Sequence, residues 1–203
     1  MSGRRCRRWV LGAVATVCAL AGALPVGAQA EKRPEPPSGH GAEAAGPARA
    51  QTPQEVLARR AGEYTRAIQF LGQMGAQGTP STGTSRISTI LNGRFLMEEN
   101  NDVVFGRPVS GMRIYGYNDA TGQYEAAWIY TMSPAILTLT GTSADGGKTV
   151  DYTGVTETAN GGKTTMHARF RQVDNDQFVI TLSVESPDGK ETPFQETTYK
   201  RKK

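Results

Sequence analysis

The sequence predicts an all-β domain: an antiparallel up-and-down meander of about eight to ten strands, closed into a barrel and preceded by one short helix. Three observations carry this prediction. Turn-forming clusters recur about every dozen residues between positions 62 and 201, the spacing of sandwiches and barrels rather than of strand–helix–strand units. The segments between them alternate apolar and polar residues with the period of two that a half-buried strand requires. No segment in that range repeats apolar residues at helical spacing. Closure follows because a long twisted meander curls, and joining its first and last strands removes two edges that would otherwise aggregate.

The helix comes first. In Thr52-Pro53-Gln54-Glu55, Thr52 is an N-cap, Pro53 suits the first helical position, and Glu55 completes a capping box. Gly62 ends the segment. "EYTRAIQFL" then opens the meander, and "TSRISTIL" runs into Asn92-Gly93, the pair that favours a two-residue hairpin turn. "RFLMEENNDVVF" ends at Gly106-Arg107-Pro108. "VSGMRIYGY" turns through "NDATG" into "QYEAAWIYTMS", and Pro134 breaks that strand before "AILTLTGTS". The clusters "ADGGK", "ANGGK", "VDNDQ" and "SPDGK" separate the remaining strands. Tyr124, Ala126, Trp128, Tyr130 and Met132 fall on one face of their strand, and Phe178, Ile180, Leu182 and Val184 on one face of theirs. In "SGMRIYGY" both pairs, Met112 with Ile114 and Arg113 with Tyr115, fit an inward face, and the sequence leaves the choice open.

The N-terminal 30 residues have a different layout. Arg4, Arg5, Arg7 and Arg8 precede the apolar run "WVLGAVATVCALAGAL", and Ala28-Gln29-Ala30 matches a small-residue cleavage site. This is the pattern of a secretory signal peptide, with an apolar run too short for a membrane span. The expectation is export, to the periplasm or beyond, in a bacterium, with no membrane span after cleavage. "RRWVL" leaves the twin-arginine route open beside the general one. The full chain carries a net charge of +4, but the leader holds four arginines and no acid. Without it, 19 basic and 19 acidic residues remain, and no electrostatic case for a nucleic-acid partner survives. Both cysteines, Cys6 and Cys18, fall in the leader. The mature chain therefore has no disulfide, thiolate metal site or cysteine nucleophile. Residues 31–51, rich in Pro, Gly and Ala, read as a disordered tether, and residues 52–203 as one barrel domain.

Several stretches of that domain resemble a known family. These are "LNGRFLMEEN", "YGYNDATGQYEAAWIYTMS", "GTSADGGKTV" and "SPDGKE", in the order seen in the bacterial family termed domain of unknown function 1579. The resemblance implies a closed lipocalin-like (calycin-like) barrel and no particular activity. The chain departs from the family pattern at Asn118 and Tyr130, each where the family commonly has Asp, which weakens any carboxylate role at those positions. Barrels of this class often open with Gly-x-Trp under a basic residue of the last strand. Gly62-Glu63-Tyr64 with Arg201 matches a weakened form of that closure, and a plain strand start with a basic tail fits the spacing equally well.

Candidate chemistry is sparse. His40 lies in the tether with nothing to fix it. His167 shares its strand with Met166, Ala168 and Phe170, so alternation places it outside; the alternative is an inward ligand to haem iron. No nucleophile-elbow motif accompanies it, and no clustered His or Cys could hold a metal. Glu98 and Glu99 are adjacent, so only one can face the lumen. Phase with Phe95 and Met97 selects Glu99, paired with Arg94 or Arg113 or placed near the rim.

The leading expectation is a non-enzymatic exported barrel, without a cofactor, that binds a small apolar ligand. The lining candidates are Trp128, Tyr130, Met132, Tyr115, Arg113 and Glu99. Two alternatives stand beside it: a haem or redox barrel using His167, and an envelope interaction protein whose barrel is filled by its own side chains.

Overall fold

In the computed structural model of the chain, residues 51–72, 81–157, 161–186 and 188–203 are described. The leader and all of the tether except Gln51 lie outside them. Helix α1 (Pro53–Ala58) leads into ten strands: β1 (Gly62–Phe70), β2 (Ser81–Ile90), β3 (Phe95–Val104), β4 (Arg107–Asn118), β5 (Gln123–Tyr130), β6 (Ser133–Thr142), β7 (Thr149–Glu157), β8 (Lys163–Gln172), β9 (Gln177–Glu185) and β10 (Glu191–Arg201). Each strand is antiparallel to the next, and β1 also pairs with β10, closing the barrel. The meander and its closure are those the turn spacing predicts.

Local chemistry sets the ends of the elements. The Thr52 hydroxyl accepts from the Glu55 N–H at 3.2 Å, and the Glu55 carboxylate accepts from the Thr52 N–H at 2.8 Å, forming the expected capping box. At the β2–β3 turn Asn92 and Gly93 both have positive φ, and the Arg94 N–H donates to the Leu91 carbonyl at 3.2 Å. The turn falls at Asn-Gly as expected, but strand pairing ends at Ile90–Phe95 and Leu91 also has positive φ, so the connection is four residues long, 91–94, rather than two.

The closure motif is also present. The Arg201 guanidinium lies 4.9 Å from the centre of the Tyr64 ring and donates to the Ala61 and Arg59 carbonyls at 2.6 and 3.0 Å. One residue of the last strand therefore ties down the segment joining α1 to β1.

The two ends of the barrel differ. At one, α1 packs against β3 and β4 and buries Leu57. Arg60 reaches inward there, donating to the Gly147 carbonyl at 3.0 Å with its guanidinium 3.3 Å from the Phe170 ring centre. At the other end lie the β3–β4 and β5–β6 turns and the unpaired part of the β6–β7 seam, since pairing there is confined to Thr140–Thr142 against Asp151–Thr153, beside the turn at the α1 end.

The inward faces correct two expectations. In β3 the buried residues are Leu96, Glu98, Asn100, Asp102 and Val104, and Glu99 is exposed on the outer surface. The phase is the reverse of that chosen from Phe95 and Met97, because the inner face of β3 is mainly polar. In β5 the alternation holds through Tyr124, Ala126 and Trp128, then a register shift follows before Tyr130. The extra residues lie on β6, three between Ser133 and Leu137 against one between Trp128 and Tyr130, and β5 ends at Tyr130, so Tyr130 is 38% exposed and Met132, in the β5–β6 turn, 64%. The ambiguity in β4 resolves with Arg113 and Tyr115 inward.

Candidate functional site

The lumen is filled in one half and open in the other. The filled half, beside α1, holds Tyr64, Tyr115, Phe170, Phe178 and Tyr199 in contact, with Phe178 and Tyr199 stacked at 4.1 Å. The remaining space near Arg60 and Leu96 amounts to about 10 Å³, at most room for one water molecule. The open half is a cavity of about 220 Å³, walled by apolar side chains that include Ile68, Val109, Leu137, Met166 and Leu182. Trp128 stands at the boundary. It is 3% exposed, meets Tyr115 edge-on in the filled half, and lines the cavity.

A buried polar network forms the floor. Glu98, 1% exposed, accepts hydrogen bonds from Ser85 Oγ (3.1 Å), Tyr199 Oη (2.9 Å), Tyr115 Oη (3.2 Å) and Arg113 Nη1 (3.3 Å). Arg113 Nη1 also donates to Tyr199 Oη at 2.6 Å, and its guanidinium sits 4.7 Å from the Trp128 ring centre. Nearer the cavity, Arg66 pairs with Asp102 Oδ2, which also accepts from Asn100 Nδ2 at 2.8 Å. Gly83 makes room for this pair: a Cβ there would collide with Asp102 Oδ1 and lie 2.6 Å from the Asn101 carbonyl oxygen.

The titration behaviour follows from burial and neighbours. Burial pushes the Glu98 carboxyl upward, but Arg113, Arg66 and the hydrogen bonds from Tyr199 and Ser85 outweigh it and hold it below the ordinary carboxylate value. At Asp102 burial wins over Arg66, and its value is raised. Burial also raises Tyr199 to about 12 and Tyr152 to about 12, so both phenols stay neutral at physiological pH.

The expected site residues divide into three groups. Arg113 and Trp128 line the cavity, while Tyr115 lies below its floor as a donor to Glu98. Tyr130 and Met132 touch the cavity only at its exposed mouth. Glu99 faces outward. His167 also lies on the outer face, with Nδ1 3.4 Å from Thr153 Oγ1 and Nε2 3.8 Å from Glu185. Among the described residues, no group of three His, Cys, Asp or Glu side chains is placed to hold a metal ion. The sequence reading missed Arg66, Glu98, Asn100, Asp102 and Tyr199. One signal was available: Arg66 shares a face with Tyr64, Ile68 and Phe70. An arginine in that phase points inward and requires a buried acid.

Fold and site together define a small closed β-barrel with a half-open lumen above a buried polar floor. The match to a family model over residues 49–201 places the chain more specifically: it belongs to the family described as protein of unknown function (DUF1579). No curated protein matches it. Among solved structures, it aligns with a redesigned β-barrel at 14% identity and TM-score 0.36, over 74% of this chain and 95% of the other. A de novo designed fluorescence-activating β-barrel aligns at 9% identity and TM-score 0.39, over 72% and 97%. The S-type phycobiliprotein lyase CPES from Guillardia theta aligns at 12% identity and TM-score 0.45, over 74% and 92%.

Proposed function

We propose that this protein binds a small, mainly apolar molecule in the open half of its lumen and acts as a carrier or sensor rather than an enzyme. One observation carries the reading: a cavity of about 220 Å³ with apolar walls persists in a barrel whose other half is packed solid. Interiors normally close to crystal-like density, and each lost contact costs stability. A retained apolar cavity reaching the barrel mouth is a common form of ligand site. The hydroxyl groups of the floor and the Glu98 carboxylate are engaged in holding one another, and among the described residues none is arranged as a nucleophile with its base.

Binding takes place outside the cytoplasm, in line with the signal-peptide pattern of residues 1–30. Protein recovered from a host envelope fraction should begin at Glu31; an intact N-terminus on cytoplasmic protein would remove this part of the proposal. For the lumen itself, Trp128 is the reporter, with Trp9 replaced by Phe to clear the background. Short-chain amphiphiles and small aromatic compounds should shift or quench its fluorescence saturably. A flat titration across such a panel, with Leu137→Phe as the filled-cavity control, would refute lumenal binding.

A further inference from the structure

The cavity floor is rich in donors and poor in acceptors, and this imbalance specifies a ligand class. Trp128 Nε1 and Arg66 Nε are buried N–H groups without a hydrogen-bond partner, and both residues line the cavity. Arg66 is bonded to Asp102 through Nη1 alone. The bonds from Arg113 to Glu98 and Tyr199 also all leave from Nη1, so Nε and Nη2 of this cavity-lining guanidinium are uncommitted among the described residues. An arginine carries five N–H donors and an indole one, and only a few of these are used.

The acceptors are mostly spoken for. Glu98 already receives four donor groups and is 1% exposed. Asp102 Oδ2 takes Arg66 and Asn100; Asp102 Oδ1, which rests against Gly83 in the barrel wall, is the single unpartnered buried acceptor among the described cavity-lining side chains, against two such donors. A buried donor left without a partner costs about 1–3 kcal/mol. A molecule that brings only acceptors recovers that cost, and a charged acceptor bonds about twice as strongly as a neutral one.

Resting on the lumenal-binding reading above, we infer that the ligand is a short-chain carboxylate, its head on Trp128 Nε1 and the Arg66 and Arg113 guanidinium groups and its chain toward the mouth. The volume sets the chain length. An apolar cavity of about 150 Å³ accommodates benzene, so about 220 Å³ holds roughly nine heavy atoms at similar filling. That corresponds to three atoms of carboxylate and about six further carbons, a chain of seven or eight carbons in all. Longer chains protrude past Tyr130 and Met132, which are exposed at the mouth.

Calorimetric titration of the full chain with octanoate, octan-1-ol and octylammonium separates the possibilities. Octanoate is expected to bind at least about tenfold more tightly than the other two. Equal affinities, or preference for the alcohol or the amine, would overturn the head-group inference while leaving lumenal binding intact. No binding by any of the three would overturn both. Trp128→Phe, its fold checked by circular dichroism, removes one donor and keeps an aromatic ring. It should weaken octanoate about tenfold and octan-1-ol much less. Unchanged octanoate affinity in that variant would exclude the Trp128 contact.

Discussion

Adjacent glutamates on β3 should respond in opposite ways to the same substitution. Glu98→Gln removes a carboxylate that is 1% exposed, accepts from Ser85, Tyr115 and Tyr199, and balances Arg113. The amide brings two donors of its own into a site that supplies only donors, and leaves a buried guanidinium without its counter-charge. Breaking a buried pair from one side costs about 3–5 kcal/mol. In a domain of this size 1 kcal/mol corresponds to about 2–4 °C in Tm, so the midpoint should fall by roughly 10 °C. Glu99→Gln, on the exposed outer face, should change stability by no more than about 0.5 kcal/mol. Urea denaturation followed by circular dichroism measures both variants. The sign with pH adds a second test. Glu98 is depressed in the folded state, so its contribution is present above the unfolded carboxylate value of about 4.3 and is lost as pH falls through the lower folded one. The Glu98→Gln variant should therefore lose less stability than wild type across that acid window. Equal, small effects of the two substitutions would refute the assignment of Glu98 as the centre of the buried network.

Three other outcomes follow from the same geometry. Gly83→Ala places a methyl group against Asp102 and the Asn101 carbonyl; overpacking of this kind costs about 1–3 kcal/mol, read by the same denaturation, and Asp102→Asn should show a non-additive effect with it. Tyr199 and Tyr152 are raised to about 12 while unfolded phenols ionise near 10, so their stabilising contribution is intact below pH 10 and is lost as pH rises through 12. The phenolate absorbance of the folded protein should accordingly lag that of the urea-unfolded chain. Arg201→Ala removes the stack on Tyr64 and both bonds to the α1–β1 link, and should speed hydrogen exchange at the ends of β1 and β10 before it does so elsewhere.

The fold was legible in the sequence because its signals are local. Asn92-Gly93, the capping box at Thr52 and the dozen-residue turn rhythm each act within a few residues and need no tertiary context. The site was less legible because it depends on strands far apart in the chain: Arg66 on β1, Glu98 and Asp102 on β3, Arg113 on β4 and Tyr199 on β10 meet only after closure. Alternation also misled at β3. The rule that apolar residues point inward selects Phe95, Met97 and Glu99, yet this barrel buries Glu98, Asn100 and Asp102, since Arg66 and Arg113 already face the lumen and require acids. At β5 the period of two was correct up to Trp128 and failed where the pairing with β6 shifts register; Pro134 marks that place in the sequence, but β5 already ends at Tyr130 and Pro134 falls inside β6 rather than at the end of β5.

The lumen is solid below Trp128 and open above it, and the proposed ligand occupies the open half. The most direct test is a crystal structure of the protein grown with octanoate. Density is expected in the upper lumen between Ile68, Val109, Met166 and Leu182, with the carboxylate within hydrogen-bonding distance of Trp128 Nε1. A lumen closed by those four side chains, or octanoate bound only on the outer face of the barrel, would contradict it.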